Sequence, residues 1–325
     1  MNYSIHRRLK ALLLVAWFAA VAGLPAESVD LVVVVGAAGA EEFAPHFSKA
    51  SDEWQAAGRR GGGALHVVGT DLAENSDLEQ LEQTISKLVE EPKGSLWIVL
   101  LGHGTFDGRE AKFNLRGPDL DAVTLDKWLD GSQRQVVVVN GSASSAPFLS
   151  TLSAPGRMIV TATKNSAEDS YARFGEFLAR SIDSSEADLD QDGSTSLLES
   201  FIAASTAVRE FYEQQGRIVT EEALIDDNGD GFGTPADWFR GVRAVKVAKE
   251  GSEPDGRRAH QLQLVPSDEE RRLDPEAQAR RNALEEELFA LRAKKDELEE
   301  DAYFLELERL LLEIGAIYEA ADEDS

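Results

Sequence analysis

The chain has 325 residues, 42% of them hydrophobic, enough for one good-sized domain with appendages. Its formal charge of −26 leaves little basic surface to neutralise phosphates, which argues against nucleic acid and against an anionic membrane surface as partner and is compatible with bound cations. There are no cysteines, so disulfides, thiolate metal sites and a cysteine nucleophile are excluded.

Arg7, Arg8 and Lys10 precede an apolar run over 11–24, with an Ala-x-Ala pattern at Ala20–Ala22. The run is short for a membrane span and has the layout of a secretory signal, so residues 1–26 read as a signal peptide, with an uncleaved anchor as the alternative. The expected location is exported, periplasmic or extracellular, with no membrane span after cleavage.

Residues 27–183 read as an α/β domain. Nearly continuous apolar runs at Val29–Gly36, Ala64–Thr70, Ser95–Leu101, Gln135–Asn140 and Arg157–Thr163 are expected to be strands buried on both faces. Helices are expected over 40–55, over 76–91 with Ser76 as cap, and over 172–182, with a hairpin-like piece and a small helix between 107 and 130. This alternation predicts a mostly parallel sheet with helices on both faces. Two strands end in chemistry-bearing residues. Ser95–Leu101 runs into Gly102-His103-Gly104, and Gln135–Asn140 runs into Gly141-Ser142. If those strands are neighbours, His103 and Ser142 emerge together at the carboxyl edge, where open α/β sheets place their sites.

Residues 184–250 change character. Asp188 to Glu199 reads DLDQDGSTSLLE, with Asp188, Asp190 and Asp192 at loop positions 1, 3 and 5, Gly193 at the sharp turn, the Ser194 carbonyl at 7 and Glu199 at 12. This is the twelve-residue EF-hand pattern, and its hard oxygen donors suit Ca2+. Asp226 to Asp237 repeats it less fully, with Asp226, Asn228, Asp230, the Phe232 carbonyl and the shorter Asp237, while Pro235 stands against a regular exit helix. A helix over 197–215 lies between the loops, and the pair resembles paired EF-hand or dockerin-type calcium modules. With two methionines in the chain, no Met-rich sensor groove is expected, so the ions read as structural.

Residues 251–273 are polar and read as a linker, and 274–325 as a coiled-coil or helical tail. Leu284, Leu291, Leu298, Leu305 and Leu312 recur every seven residues, but the second seam is broken by Lys295 and Arg309. The pattern signals a coiled coil or a helical hairpin, with one amphipathic helix folded back onto the main domain as the alternative, and self-association through this helix is a candidate.

A strand ending in His-Gly, a polar insertion, then a strand ending in a nucleophile position resembles the caspase–legumain clan of cysteine peptidases. The nearest likeness is to the legumain family. LGHG at 101–104 resembles its histidine motif, NGSASS at 140–145 aligns with its Glu-Ala-Cys-x-Ser-Gly, and TATKNSAEDSYA at 161–172 resembles its later loop. The resemblance implies a caspase-like fold, with His103 as base, Gly104 as oxyanion donor, Ser142 in the cysteine's place and Ser170 in the specificity pocket. Asn140 replaces the family's glutamate, so its preference for Asn or Asp substrates does not transfer safely. A serine needs a placed base that is itself oriented by a third group; Asp107 or Asp130 could serve in principle, and nothing in the sequence places either. Three readings stand side by side: a pseudopeptidase that binds a protein or peptide partner, an active hydrolase using a His103–Ser142 dyad, and a binding or scaffold role with no link to the old site.

Overall fold

The structure, a computed structural model, describes residues 29–71, 75–168, 171–247 and 253–323. The expected signal segment and Ser170 lie outside the described residues. In chain order the main elements are β1 (Val29–Val35), α1 (Ala44–Gly61), β2 (Ala64–Val68), α2 (Asp77–Leu88), β3 (Ser95–Leu101), β4 (Gly104–Phe106), β5 (Ala111–Phe113), β6 (Leu120–Asp121), α3 (Ala122–Leu129), β7 (Gln135–Asn140), α4 (Ala146–Leu152), β8 (Arg157–Thr161), α5 (Phe174–Ser181) and α6 (Leu197–Gln214). They are followed by β9 (Leu224–Asp226), β10 (Thr234–Pro235), β11 (Phe239–Arg240), β12 (Arg243–Ala244), α7 (Arg257–His260), α8 (Pro275–Ala293) and α9 (Glu300–Glu323).

Among the described residues, seven strands form the central sheet in the order β10-β9-β8-β7-β3-β1-β2. The five strands from β8 to β2 run parallel, and β9 and β10 close the edge antiparallel. The fold is thus mixed α/β, with a mostly parallel sheet between helices. The strands' lack of polar alternation has its reason here. Leu31, Val33, Trp97 and Val99 face the α1, α5 and α6 side, while Val32, Val34, Leu96 and Ile98 face the α2, α3 and α4 side. Each fully buried side chain of this kind contributes about 1.5–3 kcal/mol, so covering both faces is what makes such runs favourable. Helix α2 starts where expected: Ser76 accepts from the Glu79 N–H, and Glu79 returns a bond to the Ser76 N–H.

Two expectations are corrected, and of the readings open for the C-terminal region the helical hairpin is the one found. Residues 184–250 do not stand apart from the sheet domain, because β9 and β10 extend its sheet and Leu198, Phe201 and Ala204 of α6 sit in its core. The expected linker, described from residue 253 onward, is a packed strap. Ala259 and Leu264 are fully buried, and the Leu262 carbonyl accepts from the Leu197 N–H. The heptad leucines do not make one seam. The helix breaks after Ala293, and α8 and α9 form an antiparallel hairpin held by Leu284, Leu288, Leu291, Tyr303, Leu310 and Ile317. Arg309 of α9 reaches Glu287 of α8 at 3.1 Å, and inside the hairpin Arg281 is paired with Glu270 at 2.6 Å. No helix among the described residues is long and apolar enough to cross a membrane.

Candidate functional site

Strands β3 and β7 are parallel neighbours in register, Leu100 opposite Asn140, so His103 and Ser142 leave the sheet side by side. The two exit segments touch through backbone. A Cβ on Gly104 would lie 2.0 Å from the Ala143 carbonyl oxygen and 2.7 Å from Ser142 Oγ, so only glycine fits.

No hydrogen bond joins the two side chains. Ser142 is 1% exposed, and its hydroxyl donates to Asn140 Oδ1 at 2.6 Å. The same amide oxygen accepts the Ser142 N–H at 3.1 Å. His103 places Nε2 3.1 Å from the Ala38 carbonyl oxygen. A carbonyl only accepts, so Nε2 carries the proton and donates. The imidazole is caged by rings, with Phe43 edge-on at 4.7 Å, Phe47 at 5.2 Å and Tyr171 at 5.7 Å. The Tyr171 hydroxyl donates to Glu176, and burial followed by that carboxylate pushes its ionisation far upward, so it stays neutral. Asp107 does not serve as an orienting acid, because its carboxylate accepts the Arg109 and Glu110 N–H groups in its own exposed turn. Asp130 is exposed past the end of α3. A cleft of about 370 Å³ opens beside the cage, lined by Phe43, His46, Tyr171, Arg173 and Arg217. A larger cavity, about 440 Å³ between the 164–168 loop, α6 and β10, includes neither His103 nor Ser142 in its lining.

The first acidic loop sits between α5 and α6, and its three aspartates converge. Ligand oxygens of Asp188, Asp190 and Asp192 lie within 4.8 Å of one another, the one such acidic or histidine group among the described residues. Asp188 accepts the Asp192 and Gly193 N–H groups, Asp192 accepts the Ser194 N–H, and Gly193 takes φ 85° as the turn requires. Partial burial, with the neighbouring carboxylates of Asp190, Glu199 and Asp188 adding to it, pushes the Asp192 carboxyl up to about 7. Burial and the neighbouring carboxylates raise Asp190 as well, and three converging aspartates are the donor set a hard cation would satisfy. Glu199 does not join the convergent group. Oε1 accepts from Leu189 and Asp190, and Oε2 takes the Ser196 N–H and hydroxyl as the cap of α6. Ser194 is tied to the strap, its Oγ accepting the Ser267 N–H at 3.0 Å.

The second loop is a strand-to-strand hairpin, which corrects the expected EF-hand geometry. It leaves β9, returns by β10 and ends in a 3-10 turn over Ala236–Trp238 that carries the exposed Asp237. Pro235 cannot continue a helix, and Leu224 and Ile225 are held by pairing with β8. The winding still matches the first loop. Asp226 accepts the Gly231 N–H, Asn228 the Asp230 N–H and Asp230 the Phe232 N–H, with Gly231 at φ 78°. Asp226 is fully buried and also takes the Ser153 hydroxyl at 2.6 Å.

The strap crosses both loops. His260 stands 3.4 Å from Asp190 beside the first loop. At the second, Asp255 accepts the Thr234 hydroxyl and the Asp227 N–H, while Asp227 accepts the Ala259 N–H. Burial, with repulsion from Asp227, pushes the Asp255 carboxyl up to about 8. These strap residues carry no local sequence signal, since Asp255 meets its partner 28 positions away.

No family model and no curated protein matches this chain. Among solved structures, the chain is similar to the Drosophila initiator caspase Dronc, at 14% identity and a TM-score of 0.44 over 64% of this chain and 81% of that one. It is also similar to caspase-1 from Spodoptera frugiperda, at 9% identity and a TM-score of 0.40 over 62% of this chain and 86% of that one.

Proposed function

We propose that this chain is an exported caspase/legumain-like protein whose peptidase site is disarmed, and that it acts in binding or assembly with Ca2+ as a structural cofactor. The observation that carries the reading is that the buried Ser142 hydroxyl is bonded to Asn140 and not to His103. Acyl transfer to serine needs a base within reach to take the hydroxyl proton. Here the Ser142 hydroxyl is buried and given to an amide oxygen, which is no base, and it makes no hydrogen bond to His103, whose Nε2–H on the Ala38 carbonyl leaves Nδ1 as the basic nitrogen. Asn140, in the place of the family's glutamate, is what holds Ser142 back. Gly104 retains its place beside Ser142 and would remain the oxyanion donor in an active relative.

Asp188, Asp190 and Asp192 with the Ser194 carbonyl would hold one ion, Glu199 staying with the α6 cap, and Asp226, Asn228 and Asp230 with the Phe232 carbonyl a second, Asp237 standing apart on its 3-10 turn. The ions would offset the mutual repulsion of the carboxylates and fix both loops against the strap. The alternative is a hydrolase in which His103, its Nε2–H held by the Ala38 carbonyl, takes the Ser142 hydroxyl proton on Nδ1.

Fluorophosphonate labelling read by mass spectrometry, with and without Ca2+, separates the two. No label on Ser142 is expected. Labelling of Ser142 that disappears in His103→Ala would make this a serine-variant hydrolase.

A further inference from the structure

The hairpin leaves helix α9 with two apolar faces and one partner. Tyr303, Leu310 and Ile317 recur every seven residues and are buried against α8. The opposite face carries Leu305 and Leu312, 71% and 66% exposed, beside Phe304 and Leu311, 50% and 49% exposed. At 3.6 residues per turn these four form two adjacent rows, and from Phe304 to Leu312 they run for about 12 Å. Scattered single leucines on a surface need no explanation, but a contiguous double row does.

The charge around this stripe indicates its occupant. Its exposed neighbours on the helix are Glu300, Asp301, Glu308 and Glu319. The helix has one basic residue, Arg309, and that guanidinium is already held by Glu306, Glu313 and Glu287. A second copy would set these acids against their own equivalents with no free cation on α9 to answer them, on a chain whose net charge is −26. Like-charge juxtaposition of this kind disfavours pairing.

We infer that the outer face of α9 docks a cationic amphipathic helix of a protein partner, its apolar side on Phe304, Leu305, Leu311 and Leu312 and its Lys or Arg residues over Glu300, Asp301, Glu308 and Glu319. This is the helix-on-apolar-face mode of recognition with acidic flanks that select the partner's sign. It stands on the hairpin alone and is independent of the state of His103 and Ser142.

The probe is a fluorescein-labelled 21-residue peptide with leucine at the a and d positions of three heptads and lysine elsewhere. It is titrated into the full chain in Ca2+ buffer and followed by anisotropy. Two controls have the same length: a scrambled peptide of identical composition, and one with glutamate for lysine. Saturable binding of the amphipathic lysine peptide is expected, at least tenfold tighter than the scrambled peptide, weakening with salt, with no binding of the glutamate peptide. The L305S/L312S protein, which keeps the net charge, is expected to lose at least tenfold. F304S/L311S is the second variant, and unchanged circular dichroism and melting are required of whichever is scored. Equal binding of the scrambled peptide, or no loss in the serine variants, would reduce the effect to bulk charge and overturn the proposal. So would a concentration-dependent dimer in sedimentation velocity that L305S/L312S abolishes, since a second copy would then be the occupant.

Discussion

The bond between Asn140 and Ser142 is the feature most open to direct test. Asn140→Ala removes the acceptor of both the Ser142 N–H and the Ser142 hydroxyl. A buried N–H left without a partner costs about 1–3 kcal/mol. The hydroxyl loses less, because the Ala143 carbonyl stands 3.3 Å away as a second acceptor. Against this, the Asn140 Nδ2, buried and without a partner, is removed with the side chain, which returns a similar amount. The truncation leaves a small void worth a further ~1 kcal/mol. The balance is a loss of about 1–2 kcal/mol. Ser142→Ala alone deletes one hydrogen bond and should cost about 0.5–1.5 kcal/mol. The two changes share a contact, so they should not add. A double-mutant cycle by urea unfolding in millimolar Ca2+ should give a coupling of about 1 kcal/mol. A coupling under about 0.3 kcal/mol would mean that Asn140 does not hold the Ser142 hydroxyl, and the explanation for the disarmed site would fail.

Calcium should raise the melting temperature of the full chain, with EDTA reversing the gain; calorimetry of Asp190→Asn should show the tighter binding event weakened, and absence of heat in the parent protein would exclude the ions. Arg281→Ala should destabilise the C-terminal hairpin by about 3–5 kcal/mol, because Glu270 would remain buried beside Tyr318 without its cation, measurable as an early loss of helical circular dichroism on heating. In chelator, the Asp255 carboxyl is lifted by burial from the ordinary carboxylate range to about 8, so the folded form holds a proton that the unfolded chain releases. The stability from that proton is complete below about pH 4 and lost as pH rises through about 8. Asp255→Asn should flatten this part of the urea midpoint against pH, and an unchanged slope would exclude Asp255 as its source.

Parts of this molecule were readable in the sequence because the cause is local. Val32 to Val35 and Val136 to Val139 announce strands covered on both faces, Ser76 announces a cap, and the Asp-x-Asp-x-Asp-Gly run winds as its spacing demands. Other parts depend on distant partners. Strand β9 has three residues and becomes a strand only because β8 offers an edge. The strap looked like a linker by composition, yet Ala259 and Leu264 find a core made by other segments. The break after Ala293 has no glycine or proline to mark it, so the leucine repeat seemed continuous although Leu305 and Leu312 face outward. At the site, the adjacency of His103 and Ser142 followed from strand order. The imidazole's direction did not, because it is set by the carbonyl of Ala38, 65 positions earlier.

The measurement closest to the central claim is the rate of alkylation of a Ser142→Cys variant by iodoacetamide as a function of pH, with and without His103→Ala. A thiol placed here, buried and without a hydrogen bond to the imidazole, should react slowly and titrate at or above about 8.5, with no change when His103 is removed. An apparent value below about 7 that rises in His103→Ala would show that the histidine still acts on position 142, and would contradict a disarmed site.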